Sequence, residues 1–383
     1  MNVITRILVV CSMVLSVAVQ SSAEEVLSPL AEIRFPRNKD FILLPVEING
    51  HVYEFILDTG ATRHLFDSSL RRFLGEQIGS TQSTLEGHRT HCTIHPPAEL
   101  TTGAISLQST KFVGCLDLQV FRRNMGEQIY GVIGRDFFRE RIVQIDCDNG
   151  RVRIFRRGER DPSWGQPLAL QNLATEDSTP IMECDYVGRQ QHVLFRVGTA
   201  QQNGISLNTF LFRKLAVDGD VTSVHTTQYV DLDGIKSRNS GRLASLSVGQ
   251  VTHQNLLVAS ANDNQLGIGY FSRFLTTFDL SGRIIYLSPG ASFDKREYID
   301  RTGLHLVQQE SMVSVDTVDH DSAAALAGIE KDDVLLGVNE KAIGDLFLCE
   351  IRRLLRDTSA SEMRLKLRRD QQDWTAVLRL PPE

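Results

Sequence analysis

Spare positive charge is the first thing this chain lacks: 41 Lys and Arg face 47 Asp and Glu, a formal net charge of −6 over 383 residues. Without a basic footprint, nucleic acid is not expected as a partner. Cysteine is scarce as well, six in all. Cys11 lies in a segment expected to be cleaved off, which leaves Cys92, Cys115, Cys147, Cys184 and Cys349. That number is odd and too small for a disulfide-held scaffold. Nor is there an apolar run long enough to span a membrane. Ile7 to Val19 falls short of the roughly 20 residues required. Preceded by Arg6 and followed by Ser21-Ser22-Ala23, it reads as a signal peptide over residues 1–23. Export to the periplasm or the cell exterior follows as an expectation. The remaining composition, 42% hydrophobic and 23% charged with 28 Gly and 11 Pro, suits a folded chain of two or three domains.

What is present begins with Asp58-Thr59-Gly60-Ala61, set directly behind the apolar run Phe55-Ile56-Leu57. Glycine lets the backbone turn tightly, and a threonine hydroxyl can anchor such a turn to nearby backbone. A carboxylate presented this way activates water only with a second carboxyl that shares its proton. The tripeptide alone is a weak signal, so its context decides.

That context contains a repeat. Gly50 and Gly188, Gly60 and Gly198, and Gly103 and Gly241 are each 138 residues apart. Gly131-Val132-Ile133-Gly134-Arg135-Asp136-Phe137-Phe138 is answered by Gly267-Ile268-Gly269-Tyr270-Phe271. Each is followed by a strand, a turn and a strand. Val143–Asp146 leads through Asp148-Asn149-Gly150 to Arg151–Phe155, and Thr277–Asp279 through Ser281-Gly282 to Arg283–Leu287. Asp136 is expected to cap a short helix at Phe137–Glu140. His64 reads as a surface residue. His88, His91, Cys92 and His95 are metal-ligand types, but their spacing matches no closed zinc site, and no metal or cofactor is assigned.

Together these residues resemble the retropepsin-like superfamily of aspartic peptidases. The resemblance implies a mainly β fold of two tandem retropepsin- or pepsin-like β-barrel lobes, over residues 24–160 and 161–292. It implies Asp58 as the catalytic carboxylate, Thr59, Gly60 and Ala61 as the active-site turn, and Gly131, Ile133 and Gly134 as the segment bracing it. The histidine-rich stretch becomes a substrate-covering flap, and the substrate a polypeptide.

The second copy departs from the family. At the constant offset Asp58 maps onto Arg196, Thr59 onto Val197 and Gly60 onto Gly198, a degenerate second site. An arginine within about 4–6 Å would lower the Asp58 pKa by roughly 1–3 and hold it as an anion. Three outcomes stay open. Asp58 works beside another acid as an aspartic endopeptidase; or two chains form a C2 homodimer that pairs two copies of Asp58; or the protein is a catalytically inactive peptide binder in which Arg196 replaces the second acid.

Residues 293–383 resemble a PDZ domain, an α+β fold. The resemblance rests on Asp321-Ser322-Ala323-Ala324-Ala325-Leu326-Ala327-Gly328-Ile329 and Asp332-Asp333-Val334-Leu335-Leu336-Gly337-Val338-Asn339. PDZ domains add a peptide strand to a sheet edge and hold its carboxylate on backbone N–H groups. Thr302-Gly303-Leu304-His305-Leu306 would be that peptide-binding loop, and a peptide or C-terminal ligand the partner.

Overall fold

The computed structural model describes residues 27–382 except 38–39, 86–87, 98, 108–110, 172–178, 187–191, 232–233, 311 and 357–358. The signal-peptide reading and Gly188 therefore lie outside the described residues.

The chain is mainly β. In the first lobe Leu43–Ile48 alternates buried and exposed side chains and turns at Asn49-Gly50 into His51–Leu57, with Ile48 opposite His51. Both turn residues have positive φ, 50° and 78°, the geometry that tight hairpins require. The end of His51–Leu57 is buried on both faces. There it runs parallel to Ile129–Ile133, which is also antiparallel to Leu65–Asp67. Continuous apolar runs are what such a doubly covered strand needs. Gly79–Leu85 and His88–His95 form the hairpin expected as a flap. In the second lobe the longest hairpin is Val221–Asp231 with Gly234–Val248.

The lobes meet in a six-strand antiparallel stretch ordered Ala31–Arg34, Arg151–Arg156, Arg141–Asp146, Phe274–Asp279, Ile284–Pro289 and Gln166–Gln171. At its centre Gln144 faces Thr277, and Gln144 Nε2 donates to Thr277 Oγ1 at 3.0 Å. One buried core, including Leu44, Phe55, Phe66, Phe138, Phe195 and Phe278, runs through both lobes. A separate core fills the C-terminal domain, around Leu306, Val315, Leu348, Ile351 and Leu365. The segment between the two cores is held as a strap: Arg273 Nη1 donates to the Phe293 and Lys295 carbonyls, and Arg242 Nη2 to that of Glu297.

The C-terminal sheet runs Leu304–Gln309, Met312–Val318, Val334–Val338, Glu362–Arg369 and Gln372–Arg379, with helices at Ala323–Leu326 and Leu348–Arg356. Ser322 caps the alanine helix, its Oγ accepting from Ala325 N at 3.1 Å, and Gly328 follows at φ +77°. No described helix is long and apolar enough to cross a membrane.

Two local expectations change. Asp136 is not a cap: it lies inside the first turn of the 3-10 helix Arg135–Phe138, where Gly134 holds the capping position, and its carboxylate pairs with Arg139 at 3.2 Å. Gly103 and Gly241 are not equivalent either. Gly103 turns a two-residue hairpin at φ +57°, whereas Gly241 lies inside the strand Gly234–Val248.

Candidate active site

Asp58 ends the buried strand His51–Leu57, and the crossing strand Ile129–Ile133 holds its loop from behind. The Asp58 N–H donates to the Ile133 carbonyl at 2.9 Å, and the Arg135 N–H to that of Ala61 at 2.8 Å. So close a crossing needs glycine. A Cβ on Gly131 would stand 2.2 Å from Phe55 Cε1, and one on Gly134 2.3 Å from the Arg63 carbonyl oxygen. Gly60 is constrained from within: its N–H donates to Asp58 Oδ1 at 2.8 Å, and a Cβ there would lie 3.2 Å from that oxygen.

The Thr59 hydroxyl does not anchor its own turn. It donates to the Val197 carbonyl across the interlobe boundary at 3.1 Å and accepts from the Thr199 N–H at 3.3 Å. Thr199 answers in kind, donating its hydroxyl to the Leu57 carbonyl at 2.7 Å and accepting from the Thr59 N–H at 3.0 Å. All four bonds are buried, so the two loops are locked together within one chain. A second copy of the first lobe would have to displace Thr199 to bring its own Asp58 into register.

These bonds correct the second-site assignment. Thr59 pairs with Thr199, 140 positions on rather than 138. The Gly198 N–H donates to the Leu266 carbonyl at 3.1 Å, as Asp58 does to Ile133. Ile268 N donates to Gln201 O at 2.8 Å, as Arg135 does to Ala61. The residue in the Asp58 position is therefore Gly198, the threonine is kept as Thr199, and Gly60 is matched by Ala200.

Arg196 instead takes the place of Ile56 on its strand. Its side chain is about half exposed (51%), with Nε 3.8 Å from Asp263. Val197 is fully buried in the place of Leu57. Glycine spacing alone does not fix this register. Aligning on the threonine behind each apolar strand, Asp58-Thr59-Gly60 against Gly198-Thr199-Ala200, was the signal available.

The second position, being a glycine, itself supplies no carboxyl to Asp58. The space beside Gly198 holds Gln265, whose Nε2 would lie 2.4 Å from a Cβ placed there. Asp58 is buried, which pushes its pKa up from the usual carboxylate value. The N–H groups of Gly60, Ala200 and Ala61, and the charge of Arg135, offset this in part. The Ala200 N–H reaches Asp58 Oδ1 from the other lobe at 3.2 Å. Rather than an anion fixed by an arginine, Asp58 is a single carboxyl that holds its proton more firmly than an exposed one.

His64, expected at the surface, is 1% exposed. It sits behind the loop, where its Nδ1 accepts from the Gly134 N–H at 3.1 Å. Burial pushes its pKa down to about 4, so it is neutral at pH 7. An unfolded histidine takes a proton below about 6.5 and the folded one refuses it until about 4. The resulting stability is complete above 6.5 and is lost as pH falls toward 4. A shift of this size corresponds to about 3 kcal/mol. Urea unfolding at pH 7 and pH 4.5 should show wild type losing about 2–3 kcal/mol more than His64→Asn, whose amide oxygen replaces the acceptor. Equal losses in the two proteins would show that His64 does not set this slope.

The flap histidines diverge. His91 is exposed, Cys92 is buried, and the buried His95 ring contacts the Gly75 carbonyl at 2.8 Å and Thr93 Oγ1 at 2.9 Å. Among the described residues no group of three or more His, Cys, Asp or Glu is arranged to hold a metal. None of the described cysteines is in a disulfide.

A cleft of about 1580 Å³ opens over Asp58. Thr81, Gln82 and Ile94 of the flap line it on one side, and Thr227, Tyr229 and Arg238 of the second-lobe hairpin on the other. Gly303, Leu304, His305 and Leu306 of the C-terminal domain border the same space. Thr302 is fully buried behind them, its hydroxyl donating to Asp300 Oδ1 at 2.7 Å. Gly303 has φ +70° and packs against Ser322, and the His305 ring meets Asp319 at 2.9 Å.

Comparison with known families agrees with both ends of this description. Residues 44–137, from the first hairpin through the bracing segment, match the aspartyl protease family, and residues 314–369 match the PDZ domain family. No curated protein matches the chain. The molecule thus joins an aspartyl protease domain, built around the Asp58 loop, to a C-terminal PDZ domain.

Proposed function

We propose that this protein captures extended polypeptide in the interlobe cleft, and that peptide hydrolysis there is slow or absent because Asp58 is a lone carboxyl. The observation that carries this reading is Gly198 in the place of a second aspartate. Aspartic peptidase chemistry needs one carboxyl protonated while its neighbour takes a proton from water, and a carboxamide such as Gln265 can do neither. The cleft keeps the parts that hold a peptide: hairpins on both sides and two locked floor loops.

Hydrolysis through Asp58 is the second reading. It is favoured by the complete Asp58-Thr59-Gly60 turn and by a carboxyl raised by burial rather than suppressed. The corresponding bonds in the two lobes also support descent of residues 24–160 and 161–292 from one duplicated unit, with the PDZ domain over 293–383. Export rests on residues 1–23 alone.

The test pairs wild type with Asp58→Ala on a carboxymethylated, unfolded protein across pH 3–8. Saturable binding by both, with no Asp58-dependent cleavage, is the expected result. Cleavage that disappears in Asp58→Ala would establish the peptidase. Mass spectrometry of protein expressed with its leader should find Glu24 at the N-terminus if export occurs.

A further inference from the structure

The PDZ domain presents one sheet edge to ligands. Leu304–Gln309 is the terminal strand of its sheet, paired on one side with Met312–Val318 and facing the helix Leu348–Arg356 on the other. A peptide that adds to this edge must lie between strand and helix.

Part of that space is taken by the chain itself. Helix Gln119–Met125 of the first lobe ends at Gly126, at φ +67°, and Gly126 is wedged between the two walls. A Cβ there would lie 2.6 Å from Leu348 Cβ on the helix and 2.8 Å from Gln308 Oε1 on the strand. Arg352, from the helix, donates to the Leu306 carbonyl on the strand and to the Asn124 carbonyl of the first lobe, both at 2.7 Å. The Leu306 acceptor thus faces the groove and is already engaged. Beside it the buried Cys349 Sγ contacts Glu127 Oε1 at 3.6 Å, and Arg353 pairs with Asp40 at 2.7 Å. The intruding helix is fastened to its own lobe by the Arg122–Asp67 pair at 2.8 Å, with Asp67 fully buried. The opposite end of the groove, at Gly303 and Leu304, opens into the Asp58 cleft.

We infer that the Asn124–Glu127 segment is a built-in competitor for the PDZ groove: a polypeptide C-terminus binds only by displacing the first lobe, and this displacement swings a wall of the cleft away from Asp58. The inference rests on the proposal that the PDZ domain takes polypeptide termini.

The probe is a fluorescein-labelled decapeptide mixture with apolar last residues, bearing a free carboxylate, with its C-terminal amide as control. Binding to the full chain is read by anisotropy, and alkylation of Cys349 by peptide mapping. Gly126→Asn keeps a residue tolerant of positive φ while placing a side chain against Leu348 and Gln308. Asp40→Arg opposes Arg353 at a partly exposed site and so guards against misfolding of the first variant. Both variants should bind the free-carboxylate mixture at least tenfold tighter than wild type. Peptide should also accelerate Cys349 alkylation in wild type.

Equal, carboxylate-dependent binding by all three proteins would overturn the competitor while leaving the PDZ reading intact. Faster Cys349 alkylation in the variants with no peptide binding by any protein would overturn both, leaving a plain domain contact.

Discussion

Gly198→Asp combined with Ala200→Gly and Gln265→Ser should raise peptidase activity at least about 100-fold over wild type at acidic pH, since positioned acid–base groups contribute typically 10²–10⁴-fold. The three changes rebuild Asp-Thr-Gly in the second lobe. Gln265→Ser clears the carboxamide that would stand 2.4 Å from the new Cβ. Ala200→Gly matters because the matching Gly60 position allows a Cβ only 3.2 Å from the carboxylate oxygen. The threonines that register the loops are already in place. Activity on the unfolded substrate should vanish when Asp58→Asn is added. A folded triple variant that binds substrate yet cleaves no faster than wild type would show that more than the second carboxyl has been lost.

Thr199→Val should be among the most damaging conservative changes in the molecule. It preserves shape but strips the Leu57 carbonyl of its donor at 2.7 Å and the Thr59 N–H of its acceptor at 3.0 Å, both buried. Leaving two such groups unpaired costs about 2–5 kcal/mol. Thr199→Ser keeps the hydroxyl and should recover most of this. Urea denaturation of the two variants checks it, and a loss below about 1 kcal/mol for Thr199→Val would mean that water enters the loop junction and replaces both bonds. Thr59→Val should behave alike, because it strips the Val197 carbonyl and the Thr199 N–H.

Much of this architecture is legible in the sequence. The apolar run ending at Asp58 and the hairpin around Asp148-Asn149-Gly150 are local. Their periodicity and turn residues act within a few positions. The Gly134–Phe138 and Gly267–Phe271 correspondence was legible for the same reason. Each segment closes the same short bonds, Phe137 N to Gly134 O and Tyr270 N to Gly267 O.

An offset between glycines does not fix the second site, because it assumes that nothing has been inserted between them. A two-residue slip in a strand keeps the same face, so pattern alone cannot detect it. The reciprocal bonds of Thr59 and Thr199, which join residues 140 apart, set the register together with the Gly198–Leu266 and Ile268–Gln201 backbone bonds. They turned the partner of Asp58 from Arg196 into Gly198, and with it the electrostatics from a fixed anion to a proton-holding carboxyl.

By itself, then, the sequence determined a mainly β chain with an aspartyl protease region that contains Asp58-Thr59-Gly60 and a C-terminal PDZ region, since those features are written in neighbouring residues. Tertiary structure alone decided what stands opposite Asp58 and what lies in the PDZ groove. Both depend on contacts between segments more than 100 residues apart, Thr59 with Thr199 and Asn124 with Arg352. No local propensity encodes such contacts; packing creates them.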